Sequence, residues 1–251
     1  MEQLTLTKFL NHLFGPAVTA LLQALHIHPK HPAAPITNYV AMELLVVLLL
    51  TCFFIAVRLR LSVEKPGALQ HTMEGIHGFI DNLAQEIIGH DGPKFVPYLV
   101  VLGLFILTSN LIGLVPGLES PTAVEQVPLG AAILTWFYYQ YAGIRANGGI
   151  GYLKHFIGPQ EGMPLAVRIL LPILIFPIEI FSHLARMLSL SVRLFANMFA
   201  GEMVTLVFFS LVPIGLPIVF EGLHVGVAFI QTYIFVLLPA VYLGEAVAHE
   251  H

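Results

Sequence analysis

The residues best suited to chemistry lie in the segment 178–202, IEIFSHLARMLSLSVRLFANMFAGE, where two arginines and two glutamates interrupt an apolar sequence. A charge near the centre of a bilayer costs about 3 kcal/mol or more, so an ionisable residue in an apolar segment is first a candidate functional residue. Successive residues of a helix rotate by about 100°. This rotation places seven polar residues along one flank: Glu179, Ser182, His183, Arg186, Ser189, Arg193 and Asn197. Glu202 falls on roughly the opposite side, about 13 Å beyond Arg193.

Arg193 suits the role of a fixed positive charge, because a guanidinium stays protonated under any biological condition. Opposite a carboxylate on a partner it would favour the ionised form of that carboxylate. The alternative is a structural arginine that snorkels to lipid headgroups or pairs with a neighbouring carboxylate. Arg186 is open to both roles, and Glu179 is its nearest candidate partner in the sequence. Glu179, about 21 Å before Arg193 along a helix, either lines a polar route or forms that pair.

A second polar group combines Glu202 with His224 and Gln231. His224 and Gln231 are seven residues apart, and therefore share a face of the last helix, with Glu221 one turn before His224. If the last two apolar segments form an antiparallel hairpin, Glu202 approaches this group. A carboxylate and an imidazole can titrate near working pH and relay protons through water. The alternative is a structural cluster joining two helices, whereas Asn197 and Gln231 cannot titrate and would orient water or set helix spacing.

The composition indicates an integral membrane protein. Hydrophobic residues make up 57% of the chain and charged residues only 10%, with a mean hydropathy of +0.84, whereas about a quarter of the residues in a soluble domain are charged. A net charge of −4 without a basic patch argues against nucleic-acid binding. The single Cys52 excludes a disulfide framework within the chain. The N-terminal histidines lack further ligands at metal-site spacing, so a loop is the better interpretation of His26, His28 and His31.

The apolar runs predict an all-α polytopic protein with about five membrane helices in one membrane domain, residues 1–251. Residues 1–37 are predicted to be extramembrane, with a short helix from Pro16 to about His26. Membrane helices are predicted at 39–57, 95–118 and 127–144, and an amphipathic surface helix at 68–90. The segments 167–211 and 218–246 are too long for upright spans of about 30 Å. They are predicted to form a tilted helical hairpin, with a kink at Pro239.

The distribution of basic residues predicts the orientation. Three of them follow the first predicted span, whereas the loop between the second and third spans holds none, which places the N-terminus outside and the C-terminus in the cytoplasm. In this topology seven of the eleven basic residues lie on the cytoplasmic side: Arg58, Arg60, Lys65, Lys94, Arg145, Lys154 and Arg168.

The run RMLSLSVRLFANMFAGE, residues 186–202, resembles the signature of subunit a of the F-type ATP synthases. Three further segments support the resemblance in the order of the family: NLIGLVPG at 110–117, GYLKHFIGP at 151–159 and FIQTYIF at 229–235. The resemblance extends over most of the chain from about residue 40 to its end. One departure is Ala196, where many bacterial members carry glycine, and it changes packing without changing charge.

The resemblance implies a proton-conducting stator in a bacterial inner membrane, with two aqueous half-channels separated by Arg193. Family members carry a carboxylate and a polar or ionisable partner at the positions of Glu202 and His224, which favours a proton relay. The implied partners are a ring of small two-helix subunits that bear carboxylates, and peripheral-stalk subunits. Either H⁺ or Na⁺ is compatible with the resemblance as the coupling ion.

No phosphate loop, nucleophile triad or metal motif appears in the sequence, so neither catalytic chemistry nor a cofactor or metal is expected on this chain itself. The alternative function is a self-contained proton- or sodium-coupled secondary transporter. Such folds usually contain internal repeats and helices broken at the site. The sequence shows no repeat, and no Gly or Pro lies between Ile178 and Ala200.

Overall fold

The computed structural model describes residues 4–24, 34–115, 117–149, 151–152, 165–211 and 215–248. The three N-terminal histidines and most of the GYLKHFIGP segment, including Lys154, lie outside these residues. The described part contains helices and no strand, which confirms the all-α class. Its α-helices are α1 (Thr5–Ala24), α2 (Asn38–Leu59), α3 (Ala68–Ile88), α4 (Val96–Leu111), α5 (Gln126–Asn147), α6 (Leu165–Leu211) and α7 (Leu216–Val247).

Within the described residues, four helical segments are long and apolar enough to span a membrane: Asn38–Leu59, Val96–Leu114, Leu170–Leu211 and Pro217–Val247. The chain is therefore a multi-pass membrane protein. The third predicted span, 127–144, lies within α5, which has 22 residues but is less apolar than these four. The predicted surface helix at 68–90 corresponds to α3, which a 3₁₀ segment, Gly89–Lys94, connects to α4.

The N-terminal helix differs from its prediction. A helix starting at Pro16 was expected, but α1 begins at Thr5 and contains Pro16 in its interior. The loss of one backbone hydrogen bond at the proline is offset by packing along the whole helix. Apolar side chains from both sides of the proline contact a core formed by Ile36, Ala41 and Met42; those of α1 are Leu6, Leu10 and Val18.

The chain divides into two compact units. The first comprises Met1–Gln70, Leu104–Val127 and Ala196–Phe229, and thus α1, α2, the second part of α4, the end of α6 and the start of α7. Asn11 fastens α1 within this unit, because its side-chain amide donates to the carbonyl of Ile36 at 2.9 Å and accepts from the Ile36 N–H at 2.9 Å. The residue thereby satisfies both backbone groups of Ile36 where the chain enters α2.

Two glycines allow the helices of the first unit to approach closely. A Cβ on Gly201 of α6 would lie 2.7 Å from Nδ1 of His224 on α7, and a Cβ on Gly113 would lie 2.9 Å from the backbone N of Ser120. Small residues at helix contacts in membranes bring backbones together in this way. The positions of His224 and Ser120 therefore depend on the absence of side chains at these glycines.

The second unit comprises His71–Gly103, Pro128–Phe195 and Ile230–His251, which include α3, the start of α4, α5, most of α6 and the end of α7. The first turns of α4 pack against α5, because Tyr98 stacks on Tyr138 with a centroid distance of 4.0 Å and its hydroxyl is 2.8 Å from that of Thr135. The side chain of Asn147 donates to the carbonyl of Ala246 at 3.0 Å. This bond joins the last turn of α5 to the last turn of α7.

We expect Gly201→Ala to destabilise the first unit, because the new methyl group must displace the ring of His224 or separate α6 from α7. Overpacking of this kind costs about 1–3 kcal/mol. Thermal unfolding of the purified complex, followed by loss of native assembly, measures the effect. Gly222→Ala is the matched control, since a Cβ at Gly222 has no neighbour within 4 Å. Equal melting temperatures of the two variants would contradict the close contact at Gly201.

Candidate functional site

Four ionisable side chains of the first unit line one cavity of about 260 Å³; they are Glu119, Glu202, Glu221 and His224. We call it the carboxylate cavity. Glu119 follows the turn after α4, Glu202 belongs to α6, and α7 supplies Glu221 and His224 one turn apart. The volume corresponds to roughly eight water molecules at about 30 Å³ each. The cavity therefore combines proton-binding groups with space for water inside a membrane protein.

Glu202 is held in place at this cavity. One of its carboxylate oxygens accepts the backbone N–H of Ser120 at 3.1 Å, and the open space beside Gly113 allows the approach. His224 is buried, with its ring against Gly201. Thr205 also lines the cavity, and its buried hydroxyl has no hydrogen-bond partner among the described residues. Water in the cavity can satisfy that hydroxyl.

A buried network of neutral groups supports Glu202 from the side of α4. The Thr122 hydroxyl donates to Asn110 Oδ1 at 2.7 Å, and the amide of Asn110 donates to the carbonyl of Ala228 on α7 at 3.4 Å. The Ser120 hydroxyl is 2.9 Å from the carbonyl of Ser109 and 2.8 Å from the Thr122 hydroxyl. The Thr122 hydroxyl already donates its hydrogen to Asn110. The single hydroxyl hydrogen of Ser120 is therefore shared between the Ser109 carbonyl and the Thr122 hydroxyl oxygen.

The chemistry of this network differs from that of the carboxylate cavity. Hydroxyl and amide groups of this kind neither gain nor lose a proton near neutral pH. The network can therefore position Glu202 but cannot store a proton. Glu202 and His224 can each bind and release one. The arrangement thus consists of a titratable pair that faces a water-sized space and a fixed polar wall that orients one member of the pair.

Arg193 lies on the part of α6 that belongs to the second unit. Its guanidinium donates to the hydroxyl of Ser189, one turn earlier, at 3.4 Å. Among the described residues it forms no ion pair.

Glu179 takes part in a different contact of the second unit from the one predicted for it. One of its oxygens lies 3.9 Å from Nε2 of His183, while Nδ1 of the same buried ring lies 2.8 Å from the hydroxyl of Tyr139 on α5. If Nδ1 accepts a hydrogen bond from the tyrosine hydroxyl, the neutral ring carries its own proton on Nε2, facing Glu179. Tyr139, His183 and Glu179 then form a polar chain from α5 to one flank of α6.

The suggested pairing of Arg186 with Glu179 is wrong. Arg186 forms an ion pair with Glu245 near the end of α7, and its guanidinium lies 5.1 Å from the centroid of the Tyr242 ring. A guanidinium over an aromatic face gains a cation–π attraction in addition to the ion pair. Arg186 therefore binds Glu245 and Tyr242 on α7 in preference to Glu179, which lies two turns away on the same helix.

Tyr152, which follows α5, is close to this charged group. Burial raises the pKa of Tyr152 to about 12, the Glu179 carboxylate raises it as well, and Arg186 opposes the change. The phenol therefore stays protonated at neutral pH and donates to the side chain of Gln140. Tyr152 acts as a hydrogen-bond donor and not as a proton carrier.

The two remaining residues selected from the sequence are Asn197 and Gln231. Asn197 is half-buried on α6 in the first unit, and Gln231 is buried on α7 in the second. The structure thus brings Glu202 and His224 together with Glu221, as the hairpin argument expected. Arg193, Glu179 and Gln231 belong to the second unit.

Sequence reasoning missed several residues at these sites. Glu119 and Ser120 belong to the loop between the second and third predicted spans, and no local pattern indicates that this loop contacts Glu202. Glu245 could have been found, because it is the only carboxylate in the second half of α7, and an antiparallel hairpin brings that half beside the part of α6 that carries Arg186. Asn110 is fully buried and belongs to the network at Glu202, a contact that its position in an apolar segment does not indicate.

Comparison with known proteins identifies the family. The sequence model of the ATP synthase A chain family matches residues 40–244. A relative from Koribacter versatilis, named ATP synthase subunit a, is 57% identical over 250 residues, which cover 100% of this chain and 99% of that protein. A protein of the same name from Solibacter usitatus is 50% identical and covers 97% of this chain and 100% of its own length.

More distant relatives agree. ATP synthase subunit a of Aquifex aeolicus is 42% identical over 196 residues, covering 74% of this chain and 86% of that protein. The family match includes every element that forms the carboxylate cavity and the segment around Arg193. This chain therefore belongs to the subunit a family of the F-type ATP synthases.

Proposed function

We propose that the chain is the proton-conducting stator of a rotary ATP synthase, working against a rotating ring of carboxylate-bearing subunits. The observation that carries this proposal is the carboxylate cavity, where Glu202 and His224 line a half-open space of about 260 Å³ between helices of a membrane protein. Ionisable groups between membrane helices are costly and usually mark an ion pathway. A purely structural cluster needs no such space and no three carboxylates.

In the proposed mechanism, protons enter the carboxylate cavity from the outer side of the membrane and pass by way of Glu202, His224 and water to a carboxylate of the ring. Neutralisation allows that ring site to move into lipid, since a neutral carboxyl group is far less costly there than a charged one. The Ser120 N–H holds the Glu202 side chain in one orientation while it binds and releases protons. Glu119 and Glu221 add negative charge, which attracts cations to the entrance.

Arg193 is proposed to face the ring as a permanent positive charge. A guanidinium that has no ion pair within the described residues can attract a ring carboxylate after that carboxylate has lost its proton. It also repels a proton that would otherwise cross directly between the two half-channels. Exposed apolar side chains on the same stretch of α6 are consistent with a contact to partner helices; they include Leu188 and Val192.

The second half-channel is proposed to run past Glu179 to the cytoplasm. The contacts among Tyr139, His183 and Glu179 supply polar groups along this route. The ion pair between Arg186 and Glu245 fixes α6 to α7 beside it. Arg186 is thereby assigned a structural role and Arg193 the role at the ring.

The proposed assembly contains a ring of small two-helix subunits, peripheral-stalk subunits and the surrounding bilayer. We propose that the chain lies in the bacterial inner membrane with its N-terminus outside and its C-terminus in the cytoplasm, and the distribution of basic residues supports this orientation. Helices α6 and α7 have 47 and 32 residues, more than an upright span requires. We infer that they lie tilted against the ring, which would supply the large surface needed to hold them.

We expect Glu202→Gln and His224→Ala each to slow passive proton flux, because each removes a titrating group from a cavity that water can still fill. Positioned proton-transfer groups contribute about 10²–10⁴-fold to reaction rates, and water left in the cavity should limit the loss to roughly the lower end. The pH dependence of the flux should change as well. Membrane vesicles stripped of the soluble sector provide the measurement.

Glu125→Gln is the matched control for Glu202→Gln. Glu125 is an exposed carboxylate that does not line the cavity, so its removal should leave both flux and pH profile unchanged. If Glu202→Gln and His224→Ala also leave both unchanged while the complex assembles normally, the cavity has only a structural role.

We expect Arg193→Ala to abolish ATP-driven proton pumping in membranes that contain normal amounts of assembled complex. Without a fixed charge between the half-channels, an ionised ring site can exchange protons with both sides, so passive leak persists while coupled work is lost. Arg193→Lys should also impair coupling severely, because a buried ammonium can lose its proton. Arg58→Ala is the control, since it removes an exposed arginine near the end of α2. Near wild-type pumping by Arg193→Ala would refute the barrier role.

A further inference from the structure

We propose that the second unit contains a binding site for the phosphate group of an anionic phospholipid. The site is a surface-open cavity of about 600 Å³, separate from the residues of the proposed proton path. Its charged lining consists of Lys94, Arg145 and Asp91, and its aromatic lining of Phe95, Tyr138 and Tyr141. We call it the lipid cavity.

The lipid cavity lies where apolar helices end. Lys94 is the last residue of the 3₁₀ segment, two residues before the candidate span Val96–Leu114, and Val247 is the last residue of the span Pro217–Val247. Arg145 belongs to the last turn of α5. All three residues line the cavity. The cavity therefore lies at the level where lipid headgroups meet the protein.

The charges of the cavity favour a group with a single negative charge. Lys94 is exposed and its ammonium lies 2.5 Å from a carboxylate oxygen of Asp91, so part of its charge is already neutralised. Arg145 also lines the cavity and is exposed, and its guanidinium can donate two parallel hydrogen bonds to one phosphate. Two cations and one carboxylate leave one net positive charge, which matches one phosphodiester.

The aromatic side chains indicate a lipid and not a free phosphate ion. Phe95 and Tyr138 meet edge to face at 6.2 Å, and Tyr141 presents an exposed ring. Tyrosine rings are enriched at membrane interfaces because they combine an apolar body with a polar tip. Basic pockets between membrane helices on the cytoplasmic side bind anionic headgroups, and an apolar wall beside them suits the glycerol and the upper acyl chain.

The cavity is rigidly built. The stack of Tyr98 on Tyr138 holds the start of α4 against α5, and the hydrogen bond from Asn147 to Ala246 holds the end of α5 against α7. The backbone segments that carry Lys94 and Arg145 are thereby held on packed elements before a ligand arrives. Preorganisation of this kind reduces the entropic cost of binding.

The test uses the whole purified complex, depleted of lipid and titrated with phosphatidylglycerol while native mass spectrometry measures its tightest binding step. Each basic residue near anionic lipid contributes roughly fivefold in affinity, so the double substitution Lys94→Gln with Arg145→Gln should weaken this step by roughly 30-fold. Arg145→Gln alone should weaken it roughly fivefold. Lys94→Arg with Arg145→Lys keeps both charges and should retain most of the affinity.

A variant with the opposite effect separates the proposal from general damage. Asp91→Asn releases Lys94 from its carboxylate partner and should tighten phosphatidylglycerol binding several-fold, which a misfolded protein cannot mimic. Lys65→Gln is the matched control, because it removes an exposed basic residue that does not line the cavity. Its affinity should equal that of the wild type.

Two further measurements identify the ligand. Phosphatidylcholine should bind at this step far more weakly than phosphatidylglycerol, and excess inorganic phosphate should not displace the bound lipid. Unchanged phosphatidylglycerol binding in the double glutamine variant, or weaker binding in Asp91→Asn, would overturn the proposal. Equal binding of phosphatidylcholine would show that charge is not recognised, and full displacement by inorganic phosphate would show a free-ion site in place of a lipid site.

Discussion

A bilayer supplies almost no hydrogen bonds, so every polar side chain between membrane helices must find its partners in the protein or in enclosed water. In the first unit, several buried polar groups meet this requirement through residues that are distant in the sequence. The backbone of Ser120 donates to Glu202, 82 positions later, and the side chain of Asn110 donates to the carbonyl of Ala228, 118 positions later. Polar groups thereby determine which helices are neighbours, a choice that apolar surfaces in lipid leave largely open.

The same requirement explains why the carboxylate cavity has a volume of about 260 Å³. Glu119, Glu202 and Glu221 would repel one another strongly if all three were ionised in a dry cavity, because Coulomb energies grow as the dielectric constant falls. Water reduces this repulsion, and the imidazole of His224 can take up a proton from the same space. Exchangeable water in the cavity lowers the repulsion among its carboxylates, and the same water, together with Glu202 and His224, supplies the components of a proton relay. The stability of the site and its proposed function therefore depend on this water-accessible space.

Much of the helical architecture follows from the sequence, because apolar runs of about 20 residues have few alternatives in a membrane. The bounds of α2 and α7 differ from the predicted 39–57 and 218–246 by one or two residues, and helical periodicity places His224 one turn after Glu221. The contacts made by loops are harder to predict from the sequence. Ser120 reaches Glu202 because Gly113 leaves space beside it, and neither residue belongs to a periodic pattern. Pro16 misled the prediction of α1, since local preference counts for less than packing along the helix.

Helix geometry alone does not distinguish the roles of Arg186 and Arg193. The two arginines lie one heptad apart on the same flank of α6, so periodicity assigns them equal roles, and their side chains carry the same charge. Their surroundings differ. Arg186 is neutralised by Glu245 and covered by the ring of Tyr242, whereas Arg193 donates one long hydrogen bond to Ser189 and forms no ion pair among the described residues. A charge with a partner on α7 contributes to joining two helices of one chain. A charge without such a partner among the described residues is suited to a carboxylate from another subunit, and the proposed mechanism therefore assigns the ring-facing role to Arg193 and not to Arg186.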